Sequence, residues 1–123
     1  MTTGRSLDIQ VKRVHDATEP DDGSRVLVDR LWPRGISKDR AALDAWEKEL
    51  APSTELRQWY DHDPAKFDAF AERYRRELDD ADRAADLDRL RGLARSDRLT
   101  LLTATKDLPH GHVRVLADVL RSG

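Results

Sequence analysis

The stretch Val26-Leu27-Val28-Asp29-Arg30-Leu31-Trp32-Pro33-Arg34-Gly35 decides the fold of this chain. Residues 25–28 form a short run rich in β-branched side chains, as a buried strand requires. Asp29 and Arg30 then place two opposite charges at its end, and Pro33 with Gly35 forbids a regular helix in the loop that follows. A strand running into a charged loop is the pattern of a strand-end site in an α/β protein.

Working outward, residues 7–14 set Leu7, Ile9 and Val11 against Asp8, Gln10 and Lys12, the period of two of a half-buried strand. Pro20 and the Asp21-Asp22-Gly23 turn separate the two strands. On the other side, Ser37 or Lys38-Asp39 starts a helix in which Leu43, Trp46 and Leu50 share a face, and Pro52 ends it. Ser53 caps a short helix carrying Leu56, Trp59 and Tyr60. Asp63-Pro64 opens a longer helix striped by Phe67, Phe70, Tyr74 and Leu78, and Leu87, Leu90 and Ala94 stripe another. Residues 99–104 (LTLLTA) read as a central strand, and His112 to Arg121 as a last helix with Val115, Leu116, Val119 and Leu120 on one face. Strand, strand, helices, strand, helix gives a single domain of α/β class, a small, mostly parallel sheet with packed helices. Trp46 and Trp59 are expected in the core.

The composition narrows the function classes. At 123 residues, one modest core is expected. The 22 basic and 24 acidic side chains nearly cancel, so no global field recruits a polyanion or an acidic membrane, and nucleic-acid binding is disfavoured. On the helix carrying Arg73, Arg75 and Arg76, Glu72, Glu77, Asp79 and Asp80 neutralise the basic run. The absence of cysteine removes disulfides, thiolate ligands and thiol nucleophiles. No apolar run approaches the roughly 20 residues of a membrane span. Residues 1–6 lack the apolar stretch of a signal peptide, so the expected compartment is the cytoplasm.

If the strands at 25–28 and 99–104 are parallel, their carboxyl ends share one sheet edge, where open α/β sheets bind ligands. Two segments then converge, bringing together Asp29, Arg30, Trp32 and Arg34 from one and Thr103, Thr105, Lys106, Asp107 and His110 from the other. Arginine forks and a lysine suit carboxylate or phosphate, so a small anionic ligand is the expected partner, with Asp29 or His110 placed for proton transfer. Arg30, Arg34, Lys106, Asp107, Trp32 and Thr103 would then bind it. Two other readings stand beside this one. Asp29 and Arg30 also fit an architectural ion pair, and Trp32 a packing anchor. Trp32, Pro33 and the loop from Tyr60 to Pro64 would equally suit a surface for a protein partner or a second copy of the chain.

His110 and His112, with His62 or Asp63, fall short of a metal-site signature, so neither a metal nor another cofactor is expected. Phosphate-loop, dinucleotide, zinc-protease and serine-hydrolase motifs are all missing from the sequence.

Three blocks carry a resemblance: VLVDRLWPRG at 26–35, LAPSTELRQWYDHDP at 50–64 and LLTATKDLPHGHVRVLADVL at 101–120. With these the chain resembles the YeaO-like family of the domain of unknown function 488 (DUF488) superfamily, from about Ile9 to Leu120. Arg13, Asp29, Arg30, Trp32, Arg34, Arg57, His62, Lys106 and Asp107 are among the matching positions. The resemblance implies an intracellular prokaryotic α/β protein and no particular activity. In the wider superfamily the last block often carries two cysteines and a glutamate. Thr103 and Gly111 stand at the cysteine positions here and Thr105 at the glutamate position, so any thiol or metal chemistry tied to those cysteines does not carry over.

Overall fold

A computed structural model describes residues 7–122. Residues 1–6, on which the signal-peptide reading rests, and Gly123 lie outside the described residues. The core is a four-stranded, all-parallel sheet of β1 (Ile9–Arg13), β2 (Ser24–Leu27), β3 (Ala45–Trp46) and β4 (Leu99–Thr103), in the order β1-β4-β2-β3. Five α-helices accompany it among the described residues: α1 (Lys38–Ala41), α2 (Thr54–Tyr60), α3 (Phe67–Leu78), α4 (Ala84–Ser96) and α5 (His112–Ser122). The single α/β domain expected from the sequence is the fold observed.

β4 lies between β1 and β2, and every one of its residues is buried, which explains its nearly unbroken apolar run. The alternation of the strands divides the interior in two. Ile9, Val26, Leu99 and Leu101 face the layer of α2 to α5, where Phe70, Tyr74, Leu90, Leu116 and Leu120 complete the main core. The opposite face has no such helix layer. Val14, Leu27 and Leu102 there pack against Ile36 and Ala41 from the segment between β2 and β3.

The rest of that second face is sealed by charge. Asp22 accepts from Lys12 at 3.0 Å and from Arg25 at 2.5 Å, while Gln10 donates to it at 3.0 Å. Arg25 also donates to the Ala41 and Ala42 carbonyls. Burial alone would raise the Asp22 carboxyl, but the Glu19 N–H, Lys12 and Arg25 outweigh it and hold the group at about 2, against an ordinary 3.8. A buried carboxylate satisfied on every side replaces an apolar helix contact here. Beside it, Gly23 sits at φ +66°, and a Cβ there would lie 2.1 Å from the Arg98 carbonyl oxygen.

One expectation from the sequence is corrected. The helix expected through Leu43, Trp46 and Leu50 stops at Ala41, with Ala42 in the left-handed region at φ +49°. The chain then pairs as β3 with Val26 and Leu27 of β2, held by Asp44 N–H to the Arg25 carbonyl and Glu47 N–H to the Leu27 carbonyl, both at 2.8 Å. Three apolar residues at helical spacing are too few to outweigh a strand edge with open hydrogen bonds. Trp46 is accordingly no core residue: it is 38% exposed, meets Trp32 edge to face at 5.4 Å, and donates to the Asp29 carbonyl at 2.7 Å. Trp59 packs only partly against the core, under Lys66 and Arg73.

Candidate functional site

Since β2 and β4 are parallel neighbours, the loops after Leu27 and Thr103 leave the sheet on one edge. α5 begins between them, and α2 closes the side. The result is a cleft of about 490 Å³ whose lining includes Asp29 to Arg34, Ala51 and Pro52, Arg57, Tyr60, Asp61 and His62 on α2 and its end, Phe70, Ala104, Thr105, Asp107, and His110 to His112. Its size is that of a small-molecule site.

Asp29 is fixed at the inner end. Its Oδ1 accepts from the Thr103 hydroxyl and its Oδ2 from the Ala104 N–H, each at 2.7 Å. His112 Nε2 lies 3.3 Å from Oδ1 and donates to the Val28 carbonyl. The carboxylate therefore ties the β2 end to the β4 end and to the first residue of α5. Thr103 is fully buried behind it.

Arg30 borders the cleft, but its guanidinium is already engaged. Its guanidinium donates to the Pro52 carbonyl at 3.0 Å, to the Ala51 carbonyl at 3.1 Å and to Glu49 at 3.4 Å, and so clasps the turn before α2. Trp32 donates to the Ile36 carbonyl at 2.7 Å and packs against the second-face cluster, closing its own loop. Arg34 is exposed in the cleft lining without a carboxylate partner among the described residues. Lys106 is exposed and does not belong to the lining.

Asp107 and His110 form a pair on the single turn Leu108–His110. The Asp107 carboxylate accepts from the His110 N–H and lies 2.9 Å from Nδ1. The Tyr60 hydroxyl donates to the His110 carbonyl at 2.7 Å, and the Tyr60 ring stacks on Phe70 with centroids 4.1 Å apart. Burial, with Asp107 and Asp63 nearby, raises the Tyr60 phenol, so it stays a neutral donor.

Of the residues expected to converge, Asp29, Arg30, Trp32, Arg34, Thr105, Asp107 and His110 share the lining, Thr103 lies behind Asp29, and Lys106, expected to bind the ligand, lies outside. Arg57 and Asp61 were not among the expected residues. A signal existed: with Leu56 and Tyr60 buried one helical turn apart, Arg57 and Asp61 fall together on the neighbouring flank of α2. Asp61 and His62 both lie in the left-handed region, at φ +48° and +52°, at the end of that helix. Among the described residues, no three His, Asp or Glu side chains gather to hold a metal ion. No helix among them is long and apolar enough to cross a membrane.

A parallel α/β domain with a ligand-sized cleft at its strand ends defines the class. The chain belongs to the DUF488 family: residues 8–123 match the profile described as the inactive DUF488-N3 subclade. It is 47% identical over 116 residues to the uncharacterized protein YeaO of Escherichia coli, covering 94% of this chain and 99% of that one. It is also 47% identical to the uncharacterized protein Rv3073c of Mycobacterium tuberculosis, over 94% of this chain and 96% of the other. No solved structure matches.

Proposed function

We propose that the chain binds a small anionic ligand in the strand-end cleft and releases it unchanged. The observation that carries this reading is the pair Arg34 and Arg57, two exposed guanidiniums in the lining, from separate segments, with no carboxylate partner among the described residues. α5 opens on the same space through Gly111 and His112, adding the positive end of a helix of 11 residues. Binding without turnover fits the surroundings of Asp29. Both Asp29 oxygens are already occupied, the Thr103 hydroxyl is buried and donates to Asp29, and glycine stands at 111. The subclade's description as inactive supports the same reading.

Calorimetric titration with inorganic phosphate, nucleoside monophosphates and sugar phosphates tests it. The expected result is saturable binding to the wild type, weakened about tenfold or more in the Arg34→Ala/Arg57→Ala double variant. Absence of binding across the panel, or equal affinity in the variant, overturns it. A second reading rests on Leu31, 67% exposed at the cleft mouth, and on the exposed Trp46 nearby. These would serve contact with a second copy of the chain, which sedimentation of the wild type against Leu31→Ser distinguishes.

A further inference from the structure

Among the described residues, Arg13 carries a buried guanidinium N–H without a partner. It ends β1 in register with Thr103 of β4, next to the strand whose end forms the cleft, but does not belong to the cleft lining. Its Nε is buried and has no hydrogen-bond partner. Among the described residues, Nη2 meets only His15 Nδ1, at 3.4 Å. The nearest acidic side chain in sequence, Asp16, is spent on the Arg13 backbone N–H at 3.0 Å. Other half-buried or buried arginines are provided for: Arg25 has Asp22 and two carbonyls, Arg30 two carbonyls and Glu49, and Arg91 two carbonyls and Asp88.

A guanidinium does not lose its proton, so it cannot escape the cost of burial by neutralising. Leaving a buried charged donor unmet is among the more expensive defects a fold carries. His15 does not compensate for it: facing an N–H donor, its Nδ1 must carry a lone pair, so the ring brings no negative charge. The missing partner has to be an acceptor, and an oxyanion matches the guanidinium fork with two oxygens at once while also balancing its charge.

We propose that Arg13 and His15 form a second anion seat at the end of β1, separate from the cleft, taking the phosphoryl or carboxylate group of a small molecule. The anion accepts from Nε–H and Nη2–H of Arg13, and the His15 ring turns from neighbour to donor. This site stands on the orphaned Nε and is independent of Arg34 and Arg57.

The test is a titration of the full chain with inorganic phosphate, and in parallel with acetate, followed by nuclear magnetic resonance of the arginine Nε–H groups and the His15 ring. The expected result is a saturable shift of the Arg13 Nε–H and His15 signals, preserved in the Arg34→Ala/Arg57→Ala variant and lost in Arg13→Gln. Phosphate alone acting assigns a phosphoryl seat, and both acting assigns a general oxyanion seat. No saturable shift of the Arg13 Nε–H with either anion overturns the proposal, as does a shift that disappears with Arg34 and Arg57. Should Arg13→Gln fail to fold, the wild-type resonance alone decides.

Discussion

Asp29 and Thr103 meet across the boundary between β2 and β4, the threonine hydroxyl donating to the carboxylate at 2.7 Å while the Ala104 N–H takes the other oxygen. In Asp29→Asn the amide oxygen can serve the Ala104 N–H only if the Thr103 hydroxyl turns to accept from the new NH2 group, and both bonds lose the assistance of the charge. A loss of about 2 kcal/mol is expected in urea denaturation. Thr103→Val keeps the shape and removes one donor, and should cost less than Asp29→Asn. A neutral Asp29→Asn would show that the carboxylate is not structural.

Arg30 clasps the Ala51 and Pro52 carbonyls. Arg30→Met should therefore lower stability by about 1–2 kcal/mol and leave anion affinity in the cleft within a factor of two or so. Calorimetry and denaturation on the same variant separate the two effects. Loss of affinity at unchanged stability would return Arg30 to the binding residues.

The depressed Asp22 carboxyl makes stability depend on pH. Its folded value of about 2 lies below its ordinary 3.8, so its contribution is present in full above about pH 4 and is lost as the pH falls toward 2. The difference corresponds to about 2 kcal/mol. Denaturation midpoints measured across that window should fall in the wild type and fall less steeply in Asp22→Asn, which starts lower.

Gly23 occupies a backbone conformation that side chains rarely adopt, and a methyl group there would strike the Arg98 carbonyl. Gly23→Ala should destabilise the fold by about 2–4 kcal/mol. Gly35→Ala, at φ +75° but in open space, should cost clearly less. Thermal melts of the two variants make the comparison.

What the sequence made legible follows from how local each signal is. β1, β4 and the stripe Phe67, Phe70, Tyr74 and Leu78 were readable because alternation and helical spacing run long enough to name the element. The two converging loops were readable because parallel pairing of β2 and β4 puts their ends together. β3 was not, since two residues carry no period and form a strand only because β2 offers them an edge. Charged side chains were the least legible. Arg30 and Arg34 stand four positions apart in one loop, yet one grips carbonyls and the other faces solvent, a choice made by the turn at Ala51 and Pro52, more than 15 residues away.

The shortness of β3 bears on how this sheet meets other chains. An outer strand of two residues offers hardly any unsatisfied backbone to an approaching strand, and the charged Glu47 and Lys48 follow it directly. At the opposite border, Arg121 donates to the Ile9 carbonyl and occupies part of the β1 rim. Extension of the sheet by strand addition is thus hindered on both flanks, and a fold with an all-parallel, highly apolar centre is guarded against polymerisation by the brevity of one border and the arginine laid across the other.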